Sequence, residues 1–387
     1  MIKVHLGTTR LEIILLAMLT IVVVGQMYVV IPLFAPMGSA MGHPAAEMVI
    51  VSSAFGFPYA CAGLIAGPLA DAWGAKRVVI LSLLATALTT LAVAFAPDFM
   101  ELVSLRAFQG LTAGFLSAPV FAYIARDLEE DARVFATTAV MAAAMSSAVL
   151  MQLFAQVAEG LCGWRTVFFL AAPVIVLMAY AAHRLLAESS ATRENRLQKA
   201  VLMLPGLLLR GRLLALYAAA LSLLSGFVAV LSGIALYGPA ALRASPEHLF
   251  LLRASALPVM VAVPFLAVRL RGLSPALRII AGLGLSAIAL GAAASAAESP
   301  WALAAGLSFC VAGLLIAAPA IVQGAAQSAA NASGAAVSLY TFAVFLGASL
   351  GPRLAVALAP TGLSGLLSAI AMLFAVSAIL GAVGLRA

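Results

Sequence analysis

Hydrophobic positions dominate this chain in long unbroken runs, and the polar positions fall in short clusters between them. A helix that crosses the hydrocarbon core of a bilayer needs about 20 mainly apolar residues. Windows of that size predict twelve such helices, over residues 11–34, 48–70, 77–96, 101–125, 134–158, 165–186, 212–238, 247–270, 275–296, 300–322, 333–359 and 362–385. Prolines and glycines interrupt several of these runs, which bundled membrane helices tolerate because neighbouring helices re-satisfy the freed backbone groups. The expected fold class is an all-α membrane protein of twelve transmembrane helices.

The polar positions divide those helices into two sets. The longest polar stretch begins at Glu188 and contains the run ESSATRENRLQK, followed by an apolar piece, 202–209, too short to span. It separates a first six-helix half, residues 1–187, from a second, residues 212–387, with 188–211 as the linker. A repeat supports the division: Gly74 follows the second predicted helix, and Arg271-Gly272 follows the eighth, about 200 residues later. Parallel six-helix repeats are a transporter plan, with the substrate held between them near mid-membrane.

Positive charge orients the chain. With both termini inside, 16 of the 21 Lys and Arg residues are assigned to the cytoplasmic side, Arg165, Arg243, Arg253 and Arg353 to the outer side, and Arg106 to the interior of a span. By the positive-inside rule this places both termini and the linker in the cytoplasm, and the protein in the cell inner membrane. The first run is longer than the apolar core of a signal peptide and leads at once into further spans, so it reads as a retained helix.

Composition then closes off other classes. Only 9% of the residues are charged, against roughly a quarter in a soluble domain. A net charge of +7 raises nucleic acid as a partner, but the basic residues form no continuous face and no stacking motif accompanies them. Cys61, Cys162 and Cys310 are far apart and lie in or beside apolar stretches, which is neither a disulfide framework nor a metal cluster. Neither a cofactor nor a metal is expected. No nucleotide-binding, nucleophile–base or paired-carboxylate arrangement appears within the spans, so the protein is not expected to be an enzyme or a self-contained ATP pump.

Arg106 is the candidate functional residue of greatest interest. It lies about 7.5 Å into its helix at 1.5 Å per residue, and an arginine at mid-helix costs about 2.5–3.5 kcal/mol to insert. Such a residue either faces a cavity or partner, or snorkels to the interface. Gln26 and Tyr28 lie at similar depth in the first helix, and Gln109 lies one turn beyond Arg106. Gln152 and Gln156, four apart in the fifth helix, share a face that either lines a cavity or bonds a neighbouring helix. None of the fourteen acids and none of His5, His43, His183 and His248 falls in mid-membrane. Protons therefore remain only one candidate coupling ion, since an intramembrane proton site normally needs such a group.

Between the second and third helices stands GPLADAWGAKR, residues 67–77. Arg106-x-x-Gln109-Gly110 follows in the fourth helix, with Gly114, and Gly163-Trp164-Arg165 with Phe168 opens the sixth. These three stretches, in this order on a twelve-span chain, resemble signatures of the major facilitator superfamily. Gly67, Asp71, Gly74, Lys76 and Arg77 match its cytoplasmic motif, while Ala72 and Ala75 replace basic residues. Gln26-Met27-Tyr28 with Pro32 is similar to a first-helix segment of the drug:proton antiporter branch, with glutamine where many members have an acid. The fifth helix lacks the Gly-Pro pattern of those antiporters. A Gly347-x-x-x-Gly351-Pro352 stretch stands instead in the eleventh, its repeat counterpart.

The resemblance implies two pseudo-symmetric six-helix halves that rock to expose one site to each side in turn. It also implies that Asp71 latches the outward-open state against the start of the eleventh helix, near Asn331, where helix N–H groups favour a carboxylate. Arg126, at the same end of the fourth helix, is a further candidate partner for Asp71. The expected function is secondary transport of a small organic solute, in the direction of efflux, with anionic, zwitterionic or neutral substrates favoured by Arg106. Uptake of an organic anion is the alternative within transport. A transport-inactive sensor or partner subunit is the alternative from another class. A monomer in the lipid bilayer is expected.

Overall fold

The computed structural model describes residues 2–188, 206–207, 210–269, 272–329 and 333–386. Among these residues every regular element is a helix. Most of the linker, Arg271, Asn331 and the C-terminal Ala387 lie outside the described residues. The expectations that fall on them, including the Asp71–Asn331 proximity, are therefore not addressed by the geometry.

The helices are α1 (Ile2–Gly25), α2 (Phe34–Met41), α3 (Val49–Trp73), α4 (Ala75–Ala94), α5 (Phe99–Gly114), α6 (Ser117–Asp127), α7 (Glu130–Cys162) and α8 (Arg165–Leu185). The second set is α9 (Gly211–Tyr237), α10 (Ala240–Arg243), α11 (Pro246–Ala254), α12 (Leu257–Arg269), α13 (Pro275–Ala294), α14 (Pro300–Ser328), α15 (Ser333–Ala357) and α16 (Gly362–Arg386). Eleven membrane-length apolar segments follow α1 among the described residues, two of them built from the pairs α5–α6 and α11–α12. With α1 they account for the predicted series of twelve.

Several helix starts follow directly from sequence. Ser245, Ser274 and Ser299 each precede a proline and accept the N–H of the residue three on, His248, Leu277 and Ala302. Proline suits the first helical position because its missing N–H would have no partner there. Asp98 caps α5 in the same way, accepting from the Glu101 N–H at 2.8 Å.

Three predicted helices prove to be broken. The first, expected over 11–34, stops at Gly25; the chain then turns through 26–30, passes a 3-10 turn at Ile31–Leu33 and enters α2. Here the N–H groups of Gln26, Met27 and Tyr28 bond the carbonyls three residues back, and Pro32 has no N–H to extend a helix. The fourth, expected over 101–125, breaks at Phe115–Leu116, where the Pro119 ring excludes the carbonyl four residues earlier. The eighth, expected over 247–270, breaks at Ser255–Ala256 just before Pro258. Apolar length alone predicts span, not continuity. Other helices overrun their predicted ends: α7 covers 130–162 and α14 reaches 328.

Contacts group the chain into two compact units, Met1–Pro36 with Ala54–Val201, and Met37–Ser53 with Leu202–Ala387. Residues 37–53 thus pack with the second unit. Ser53 and Ser349 fasten them there reciprocally, each hydroxyl donating to the other's main-chain oxygen at 2.7 and 2.9 Å.

Within each unit the same pairing of helices recurs. In the first, α1 packs on α7, and α4 on both α5 and α8; in the second, α9 packs on α15, and α13 on both α14 and α16. Close backbone approach at small residues makes these seams, because packing rather than hydrophobicity drives helix association in lipid. A Cβ on Gly347 would strike Leu221 of α9, one on Gly351 would strike Val228 and Ser225 of α9, and one on Gly25 would strike Met151 of α7.

Candidate functional site

Helix α5 carries Arg106, Gln109, Gly110, Ala113 and Gly114 on one face, and all five are buried. Their spacing of three and four residues is that of a single helical stripe. Gly110 and Gly114 set that stripe against α3. A Cβ on Gly110 would sit 2.0 Å from the Phe55 carbonyl oxygen, and one on Gly114 would sit 2.4 Å from that of Tyr59. This contact, closer than any other side chain permits, brings the next turn of α5 onto the Phe55 ring. The Arg106 guanidinium lies over that ring, 4.5 Å from its centroid, an arrangement favoured by the ring quadrupole. Phe55 in turn stacks on Tyr59 at 5.8 Å, and the Tyr59 hydroxyl pairs with Ser117 at 2.7 Å.

Four polar side chains meet there with no exposed surface at all: Arg106, Gln109, Gln26 and Thr90. Three of them close a ring of hydrogen bonds. Arg106 donates through one terminal nitrogen to Gln109 Oε1 at 2.5 Å and through the other to the Gln26 main-chain oxygen at 2.9 Å. Gln109 Nε2 donates to Gln26 Oε1 at 3.3 Å and to Thr90 Oγ1 at 2.7 Å. Gln26 completes its amide by donating to Val22 O at 3.3 Å. The break in the first helix supplies one of these partners. Gln26 lies in the turn after Gly25, where its carbonyl is released from the helical ladder and can accept from Arg106.

Arg106, Gln109 and Gln26 are therefore brought together. Tyr28 is buried in the same unit. Gln152 is fully buried, but its amide donates to Ala148 O on its own helix at 2.6 Å, and its Oε1 is buried without a protein partner. Gln156 is only half-buried. Gln152 donates within its own helix rather than to the Arg106 ring.

Sequence reasoning missed Thr90 and Phe55. A signal for Thr90 was present: Ser82, Thr86 and Thr90 repeat every fourth residue along α4. Ser82 and Thr86 meet Thr112 of α5, donating to its main-chain and hydroxyl oxygens. Arg253 is buried in α11, within the membrane-length segment Pro246–Val263.

The 67–77 motif forms a second polar cluster at the end of α3. Asp71 pairs with Arg126 of α6. Gly74 has φ +87°, a conformation that only glycine adopts without strain, and it lets α4 start at once. Lys76 is buried and meets Glu188, the first acid after α8, at 3.2 Å. Tyr123 joins the same end, donating to Glu12 at 3.3 Å and accepting the Ala187 N–H at 2.9 Å. Arg77 is exposed. Gly67 is not forced by crowding in its own unit, since a Cβ there would meet only Ala118 at 3.8 Å.

The family model for the Major Facilitator Superfamily matches residues 16–352. The chain belongs to that superfamily. Among curated proteins it is similar to an uncharacterized MFS-type transporter, YybF, of Bacillus subtilis (strain 168), at 36% identity over 66 residues. That alignment covers 17% of this chain and spans only 16% of the relative's length. Among solved structures it is similar to a bacterial homolog of the human lysosomal transporter Spinster, solved in an inward-facing and unoccupied conformation. The TM-score is 0.74 at 16% identity, with 98% of this chain and 97% of that one covered. The likeness establishes the major facilitator fold for a multi-pass membrane protein. Family and fold point to a transporter rather than an enzyme.

Proposed function

We propose that this protein is a secondary active transporter that exports a small organic solute by alternating access, with the Arg106 ring forming part of its substrate site. The observation that carries this reading is the guanidinium held without exposure among Gln109, Gln26 and Phe55. Burying a charge is costly, and a site arranged to hold one in a transporter fold is a functional site by default. Its positive potential favours anionic substrates, and its amides favour zwitterionic or neutral ones with polar edges. Gln152, with a buried acceptor oxygen, and Gln156 line the same cavity in this reading, as does Tyr28. Uptake of an organic anion would use the same site in the other direction. Reconstituted liposomes, challenged with carboxylates, zwitterions, neutral solutes and cations with and without a pH gradient, test class, direction and coupling together. Flux of cations alone would refute the substrate assignment.

In this proposal residues 1–187 and 212–387 are the two moving halves, and both termini and the linker are cytoplasmic. Reporter fusions at Ala387 should be active only in forms that work inside the cell; activity restricted to outside forms would reverse the topology.

Asp71 is proposed to hold the outward-open state, with Arg126 fixing the carboxylate in place. A carboxylate at a helix N-terminus contributes about 0.3–1 kcal/mol, so its loss shifts a two-state balance roughly two- to fivefold. Asp71→Asn should therefore slow turnover severalfold and raise labelling of inward-facing cysteines, while membrane insertion stays normal. Unchanged turnover and unchanged labelling on both sides would rule out the latch.

A further inference from the structure

The Gln109 amide can be placed in two ways, related by a half-turn that exchanges its oxygen and nitrogen. Only one of them is compatible with Arg106. A guanidinium has donors and no acceptor, so the amide oxygen must face it and the amide nitrogen must face away. Facing away, that nitrogen needs acceptors for two protons in a site with no exposed surface. Thr90 Oγ1 at 2.7 Å and Gln26 Oε1 at 3.3 Å are those acceptors, and Thr90 is the closer by 0.6 Å.

We infer that Thr90 is a positioning residue: its hydroxyl fixes the Gln109 amide so that Gln109 Oε1 aims the Arg106 guanidinium at the substrate. The inference rests on the reading of the Arg106 ring as part of the substrate site. Thr90 suits the task because α4 holds it firmly. The hydroxyl stripe of Ser82 and Thr86 ties the same face of α4 to Thr112, one turn beyond Gln109 on α5. The anchor is therefore independent of the first helix, whose broken segment at 26–30 supplies Gln26, the ring's third member. Without the Thr90 hydroxyl, one Gln109 N–H has no partner in a buried site, a cost that a tilt of the amide toward Gln26 Oε1, its remaining acceptor, relieves in part. A tilted Gln109 would draw its Oε1 out of line with Arg106 and release the guanidinium from its aim.

The test uses a carboxylate built into the ring, so that it does not depend on knowing the substrate. Gln26→Glu is introduced into the full chain in lipid, alone and together with Thr90→Val, Thr90→Ser or Arg106→Ala. The titration of the introduced carboxyl is followed by infrared difference spectra against the same background carrying Gln26. A guanidinium aimed at the ring favours the ionised form, so its displacement should move the titration midpoint upward. The expected result is a rise of about one pH unit with Thr90→Val, a midpoint with Thr90→Ser close to that of Gln26→Glu alone, and the largest rise with Arg106→Ala. A rise with Arg106→Ala but none with Thr90→Val would overturn the role of Thr90 and leave the Arg106 site standing. Equal rises with Thr90→Val and Thr90→Ser would attribute the effect to packing, and also overturn it. No rise with either Arg106→Ala or Thr90→Val would remove the anion site, and the inference with it. Thr90→Ala, which removes the hydroxyl without adding volume, replaces Thr90→Val if that variant is not monodisperse.

Discussion

Arg106→Ala is expected to reduce transport of anionic substrates by about a hundredfold or more, at unchanged protein level in the membrane. Hydrogen bonds to a charged group contribute roughly 1.5–3 kcal/mol each, and every 1.4 kcal/mol is about tenfold in affinity. An anion that takes two such bonds from the guanidinium therefore loses about two orders of magnitude when they are removed. The substitution also strips the Phe55 ring of its cation and leaves Gln109 Oε1 and the Gln26 carbonyl without the donor they now have. Arg106→Lys separates charge from geometry. It keeps the charge but cannot reach both acceptors with one planar fork, so intermediate transport is expected. Binding of an identified anionic substrate, measured in detergent by calorimetry, checks the assignment directly. Wild-type affinity in Arg106→Ala would reassign this residue to a structural role in the α3–α5 contact.

Much of the Arg106 site could be read from sequence because few polar residues enter the membrane at all. Against a background of Leu, Ala and Val, Arg106, Gln109 and Gln26 stand out singly, and depth counted along each helix brings them to one level. The residues that complete the site were hidden for physical reasons. Thr90 lies among other hydroxyls that serve the α4–α5 seam, and threonine in a membrane helix commonly bonds its own backbone, as Thr20 does to Leu16 O at 2.8 Å. Phe55 is one apolar residue among many; only the Gly110 contact, which depends on how α5 crosses α3, makes it the floor of the guanidinium. The orientation of each glutamine was also beyond reach. Gln152 and Gln26 both donate to the carbonyl four residues back, but Gln26 also reaches another helix, its Oε1 accepting from Gln109.

The helix breaks show the same limit. A hydropathy window rewards apolar length and ignores whether the hydrogen-bond ladder is continuous, so residues 11–34 and 101–125 read as single helices. Pro32, Pro119 and Pro258 were visible, but a membrane helix can absorb a proline with no break at all. Whether it does so depends on what the neighbouring helix offers the freed carbonyl. At Gln26 the offer is Arg106, and the local break and the buried charge therefore explain each other.

That coupling makes Gln26→Glu the most informative change of charge in the protein. The Gln26 side chain does not face Arg106 directly. Its Oε1 accepts from Gln109 and its Nε2 donates to Val22 O, while its main-chain oxygen holds the guanidinium. A carboxylate at this position keeps the bond from Gln109, loses the donor to Val22 O, and places a negative charge beside the arginine with no loss of volume. Pairing within the ring then competes with any substrate anion for the same guanidinium, and a charge-assisted partner already in place is the stronger competitor. Anion transport should fall about tenfold or more, equivalent to roughly 1.4 kcal/mol of lost binding. Cation transport should stay level or rise, because the net charge of the ring drops from positive to neutral. Competition flux with a carboxylate and an amine of matched size, in the same liposomes, reads both effects at once. If anions and cations fall together, the substitution has disturbed the turn at 26–30 rather than the charge of the site. If neither changes, the ring does not contact the substrate.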